Sequence, residues 1–211
     1  MLSQCSYIDS ILQHYGFDDA KHVSTPMDVN IHLMSTQSPS TTEEFAKMHN
    51  IPYHEAVGSL MYMSLRTCPD IIFAVQTVPI FFKTWDHSLG SCQMNFLLLK
   101  GTCHLWITYS NLVKELEGYA DVDGSMAEDH KAISGYAFLV NGGAVSWSAK
   151  RQEIISFSMT ESEYVAVIHT AKEALWLHSL ILSLFGIDIP TTTLFSDNQL
   201  AIVHARASVS C

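Results

Sequence analysis

After Gly101 the apolar residues of this chain stop recurring at helical spacing and begin to alternate, and that switch limits the possible folds more than any other feature. His104 to Tyr109, Leu116 to Asp123, Gly135 to Val140, Ala144 to Ser148 and Glu153 to Ser158 read as strands. Asn141, Gly142 and Gly143 form a hairpin signal between two of them. A long helix from Glu161 to about Phe185 follows, then Pro190, a strand from Thr191 to Ser196 and the start of another helix at Asn198. Condensed to a core of three strands, a helix, a strand and a helix, β-β-β-α-β-α, the series predicts an α/β fold, a mixed sheet flanked by helices.

The part before Gly101 reads differently. Tyr7, Ile8, Ile11 and Leu12 stand at helical spacing, and Gly16 is a suitable stop. Thr25 to Thr42 is rich in Ser, Thr and Pro and predicts an exposed connection. Helical blocks follow from Tyr53 to Leu65 and from Pro69 to Lys83, with Pro79 placed to kink or end the second. Two domains are expected, a mainly helical one over residues 1–115 and the sheet domain over 116–211.

With 48% hydrophobic and 15% charged residues, the chain is too apolar for a disordered protein. The apolar run Ile71 to Phe82 is broken by Gln76, Thr77 and Pro79, and it is shorter than the roughly 20 residues that span a bilayer. Met1 to Asp9 lacks a basic segment followed by an apolar one. An intracellular, cytoplasmic protein that is not secreted and has no membrane partner is the expectation. The five cysteines, Cys5, Cys68, Cys92, Cys103 and Cys211, include no close pair, so free buried thiols are expected. The eleven histidines are dispersed and form no H-E-x-x-H pattern. A net charge of −10 argues against a general nucleic-acid binder, because phosphate contacts draw on clustered Lys and Arg. An enzyme that holds cations in a carboxylate cluster can carry such acidity, since the metal reverses the local charge.

Three acids occupy positions that aim at a common point. Asp121 lies late in the strand Leu116 to Asp123, on one face with Tyr119 and Asp123. Asp197 ends the strand Thr191 to Ser196, and α/β folds place their sites at the carboxyl ends of strands. On the long helix, Glu163 heads a stripe of Val167, Ala171, Ala174, Leu177, Ile181 and Leu184 that should face the sheet. Glu161 is about 200° away around the helix and should face solvent. Each acid also has a structural use open to it. Asp197 or Asn198 can cap the following helix, Thr160 to Glu163 matches a capping box, and Asp121 or Asp123 can be a strand-end turn residue. Brought together, the three carboxylates would repel one another unless hard cations neutralised them.

These residues stand in a series that resembles the RNase H of copia-type retrotransposons. It runs through Gly118-Tyr119-Ala120-Asp121-Val122-Asp123, Ser134-Gly135-Tyr136, Val145 to Gln152, Thr160-Glu161-Ser162-Glu163-Tyr164 and Ser196-Asp197-Asn198-Gln199. The N-terminal part, through Tyr7-Ile8, Ser24-Thr25-Pro26-Met27, Val57 to Tyr62, Cys68-Pro69-Asp70-Ile71 and Leu99 to Thr102, resembles the thumb or connection segment that joins the polymerase to RNase H in those polyproteins. The resemblance implies a two-metal Mg²⁺ site held by Asp121, Glu163 and Asp197, with Asp123 as a possible extra acid. It implies an RNA·DNA hybrid as substrate, the remainder of a reverse transcriptase as partner, and backbone contacts from Trp147, Lys150 and Arg151. Charged protection of a strand edge is the other reading of those three residues.

The polymerase Tyr-x-Asp-Asp motif of such polyproteins lies upstream of the matching segment, so no polymerase activity is expected. Relatives continue past the position of Cys211 with a further strand, a helix and the fourth acidic ligand. A domain lacking its C-terminal end, able to bind Mg²⁺ but turning over little by itself, is therefore the expectation. A catalytically inactive remnant and a connection module acting only beside a polymerase chain remain alternatives.

Overall fold

The computed structural model describes residues 1–27, 41, 52–77, 85–110, 116–124, 131–188 and 191–203, with the backbone alone for 85–89. Pro79 and most of the 25–42 connection lie outside the described residues. The chain divides into two compact units, Met1–Ile107 and Thr108–Cys211.

The first unit is helical, as its periodicity predicts. α1 (Cys5–His14) presents Ile8 and Leu12 to the core, and Gly16 follows it at φ +72°, a conformation that suits glycine. α2 (Tyr53–Arg66) buries Tyr53, Ala56, Val57, Leu60 and Met63, a spacing of three and four that makes one apolar stripe. A 3-10 turn (Pro69–Ile71) leads into α3 (Ile72–Thr77). α4 (Trp85–Thr102) closes the core with Cys92, Phe96, Leu98 and Leu99. Sequence periodicity misses α4, because Ser91 and Asn95 occupy fully buried positions on it. The Nδ2 group of Asn95 donates to Ser91 O at 2.8 Å, within the helix. The expected strand His104 to Tyr109 is absent: Ile107 makes a single antiparallel bridge with Leu2, the short segment before α1 offering no longer partner.

The second unit is α/β. β1 (Glu117–Asp123), β2 (Ile133–Val140), β3 (Gly143–Arg151) and β4 (Thr193–Phe195) form a mixed sheet in the order β3-β2-β1-β4. β1 pairs antiparallel with β2 and parallel with β4. A parallel neighbour requires a crossover, and α5 (Met159–Phe185) supplies it. The predicted hairpin is present, with Asn141 at φ 54° and Gly142 at φ 80°, positive at both positions as a type I′ turn requires. Thr108 to Ser110 precede the sheet, and Tyr109 Oη donates to Ala144 O at 2.8 Å.

Gly118 lies where β1 is tightest. A Cβ there would stand 2.5 Å from Phe138 Cε1 and 2.6 Å from Leu194 Cδ2, so only glycine lets the two rows close over the strand. Beneath this sit Leu116, Phe138, Ala174 and Leu177, with Val122, Ala132 and Ala166 forming a second cluster.

The expected stripe on α5 is corrected by about one position. Glu163, Ala166, Thr170, Ala174 and Leu177 are the buried line; Val167, Ala171 and Ile181 flank it half-buried, and Leu184 is 66% exposed. Thr170 is tolerated in the core because its hydroxyl donates to Ala166 O. By length and composition alone α5 would cross a bilayer, a feature that the apolar-run reading passed over. Here that buried line packs on the sheet.

The expected strand Glu153 to Ser158 is also absent. After Arg151 the chain has no further strand to pair with among the described residues, and it turns into the helix cap instead, leaving Phe157 97% exposed. Gln152, 2% exposed, ends the ladder. Its Nε2 donates to Ser134 Oγ at 2.8 Å and Ser162 O at 2.9 Å, its Oε1 accepts from Ser156, and its backbone N–H donates to Ala132 O. One side chain thus ties β2 to the first turn of α5. Gln152→Ala is expected to destabilise the protein by about 1–3 kcal/mol, since it leaves several buried polar groups without partners. Urea unfolding measures it, and an unchanged midpoint would show that the tie is dispensable.

Candidate metal centre

The parallel register sets two of the three predicted acids side by side. Tyr119 pairs with Phe195, and their rings stack at 5.0 Å. Two residues further along each chain stand Asp121 and Asp197. Asp197 lies in a bend beyond β4, off any helix. The cap of the next helical turn is provided by Asn198, whose Oδ1 accepts from Ala201 N–H at 3.0 Å. Asp197 is thereby released from that structural duty.

The same division occurs at α5. The expected capping box at Thr160 to Glu163 is corrected to Ser158 and Glu161. Ser158 Oγ accepts from Glu161 N–H at 3.2 Å, and the Glu161 carboxylate reaches back to Phe157 N–H at 2.8 Å. The cap sits two residues earlier because the helix itself begins at Met159. Glu161 is thus engaged at the cap, and Glu163 is left to face inward.

One carboxylate oxygen each from Asp121, Glu163 and Asp197 lie within 4.8 Å of one another. Asp121 and Asp197 are exposed and Glu163 is buried, with its Oε2 lacking a hydrogen-bond partner. Asp121 Oδ1 accepts from Val122 N–H at 2.8 Å. Burial, and then the adjacent charges of Asp197 and Asp121, push the Glu163 carboxyl above its ordinary value. A buried, unpartnered oxygen in a crowd of like charges is the environment that a hard divalent cation relieves, so these residues fit Mg²⁺. Asp123 follows two residues later on β1 and is not one of the three converging acids.

The proposed backbone contacts do not share a face. Strand alternation and register put Trp147 and Arg151 on the side of Tyr119 and Asp121, whereas Lys150 shares the α5 side with Ser134 and Ser148. Lys150 stands 3.8 Å from Glu153 and lines a groove with His169 and Lys172 of α5. Sequence reasoning missed His169 and Lys172, whose place becomes visible only once α5 is docked. It also missed the role of Gln152. Cys68 and Cys92 are buried free thiols, as expected, but Cys5 and Cys103 are partly exposed, which corrects that expectation. Cys211 lies outside the described residues.

Against known proteins, the chain is 35% identical over 214 aligned residues, 99% of its length, to the retrovirus-related Pol polyprotein from transposon TNT 1-94 of Nicotiana tabacum. It is 31% identical over 87% of its length to the corresponding polyprotein from transposon RE1 of Arabidopsis thaliana. The chain spans only 16% and 12% of those two proteins. It is also 37% identical over 135 residues to the secreted RxLR effector protein 161 of Plasmopara viticola, covering 62% of this chain and 94% of that protein. No protein-family profile and no solved structure matches the chain.

The raised Glu163 value makes stability depend on pH. Between the ordinary glutamate value of 4.5 and the higher folded value, the native state binds more protons than the unfolded one, so stability falls as pH rises through that window. Metal-free protein should show this fall in its urea midpoint, Glu163→Gln should lack it, and Mg²⁺ should offset it at the upper end. The same slope in the variant would assign the effect to other groups.

Proposed function

Because the chain belongs to the copia-type, retrovirus-related Pol polyproteins of transposons, we propose that its second unit is an RNase H-like domain that hydrolyses the RNA strand of RNA·DNA hybrids. The observation that carries this reading is the meeting of Asp121, Glu163 and Asp197, contributed by the central strand, the crossover helix and the turn after β4. Three antiparallel-paired strands, a crossover helix and a parallel fourth strand support the same topology.

In this reading the three carboxylates hold Mg²⁺, and Asp123 is an outlying acid. Two such ions would supply an activated water and stabilise the leaving oxygen of a phosphodiester. Glu163 holds its place because Gln152 fixes the first turn of α5 against β2. Asp121 and Asp197 remain open to solvent, where a phosphate can approach. Lys150 and Lys172 offer positive charge along their groove, and Trp147 with Arg151 offers an aromatic and a cation on the opposite face. The first unit, mainly helical, acts as a thumb or connection segment beside a polymerase. The working location is intracellular. A secreted effector role, the one in the Plasmopara relative's name, would give the three converging carboxylates no task.

The test uses a labelled RNA·DNA hybrid and the full chain. Mg²⁺ is expected to tighten hybrid binding and to permit slow scission of the RNA strand alone. Glu163→Gln should remove the Mg²⁺ effect and lower scission by roughly 100-fold or more. Hybrid affinity indifferent to Mg²⁺, together with an intact RNA strand, would contradict the proposal.

A further inference from the structure

The first unit gathers a second set of metal-ligating side chains that owes nothing to the carboxylate site. Cys5 opens α1, and Asp9 stands one turn later on the same helix face. Cys103 directly follows α4. One ligand atom each from Cys5, Asp9 and Cys103 lie within 4.8 Å of one another. Cys5 Sγ is 3.8 Å from Asp9 Oδ2, and His104 Nδ1 is 3.1 Å from Cys103 Sγ. Residues 98 positions apart in the chain therefore meet with two thiols and a carboxylate, and the His104 imidazole stands against one of the thiols.

The meeting is built into the backbone. Leu2 and Ile107 exchange two N–H to C=O hydrogen bonds of 3.0 Å each, which clips the segment before α1 to the segment after α4. Cys5 and Cys103 are partly exposed and Asp9 is exposed, so an ion can enter without opening the core.

We propose that Cys5, Asp9 and Cys103 form a zinc-binding site, with His104 as the nearest nitrogen donor. Thiolate and imidazole ligands select Zn²⁺ and its thiophilic neighbours, whereas Mg²⁺ prefers the all-oxygen set around Glu163. Cys5, Asp9 and Cys103 offer the softer set. A metal bound there links the first helix of the unit to the end of its last, so its binding energy adds to the stability of that unit.

The reduced full chain titrated with Co²⁺ tests this. One equivalent should bind with the visible bands of tetrahedral cobalt and thiolate-to-metal charge transfer in the near ultraviolet, and Zn²⁺ should displace it. The bands should persist in Asp121→Asn and Glu163→Gln, which separates the two sites. Cys5→Ser and Cys103→Ser should each abolish the charge-transfer band. Asp9→Asn, at an exposed position that leaves the fold intact by circular dichroism, should weaken binding by about 10-fold or more. Folded wild-type protein without a thiolate band would overturn the proposal. So would a band that survives both cysteine substitutions, or a Cys5–Cys103 disulfide that forms in preference to binding when Zn²⁺ is present.

Discussion

The parallel pairing of β1 with β4 is the constraint on which the second unit depends. It demands a crossover, which α5 provides, and it requires β1 to be flanked on both sides, which Gly118 permits by leaving room for Phe138 and Leu194. The stacked Tyr119 and Phe195 fix its register. Shifting that register by one residue would turn Asp197 to the other face of the sheet, because side chains alternate along a strand. The position of the acidic cluster is therefore a consequence of strand pairing and not of any attraction among its members.

Those members repel. A fold that crowds three carboxylates, one of them buried, needs other residues to do the ordinary structural work of acids nearby, and here they do. Asn198 caps the helical turn beyond β4, and Ser158 with Glu161 caps α5. Gln152, neutral and fully enclosed, anchors the turn that carries Glu163 without adding charge. The first unit shows a parallel arrangement with softer ligands, since a backbone clip at Leu2 and Ile107 holds Cys5 and Cys103 near Asp9. In both units hydrogen bonds outside the cluster hold the framework in place, which leaves the clustered groups to be satisfied by a cation.

Much of this was legible in the sequence. Alternation after Gly101 gave the strands of the sheet, Asn141-Gly142 gave the hairpin, and the three-four spacing from Tyr53 gave α2. Helical phase distinguished Glu163 from Glu161, even though the buried stripe below it runs through Ala166 and Thr170, because Glu163 sits at the top of both lines. The failures have physical causes. α4 hides its helical signal behind buried Ser91 and Asn95. Glu153 to Ser158 and His104 to Tyr109 have strand-like composition but find no neighbouring strand among the described residues beyond the single Leu2–Ile107 bridge, and a strand exists only in a pair. The capping box matched at Thr160 has an equivalent at Ser158, and a four-residue motif cannot choose between them. Cys5 and Cys103 are too distant in sequence for any spacing rule to join them.

The central claim is that Asp121, Glu163 and Asp197 together constitute a divalent-cation site. Crystals of the protein grown or soaked with Mn²⁺, with anomalous scattering recorded for manganese, test it directly. An anomalous peak among the three carboxylates, including the buried Glu163 oxygen and absent in Glu163→Gln crystals, is the predicted result. Manganese bound elsewhere, with the Glu163 carboxyl protonated and uncoordinated at neutral pH, would contradict it.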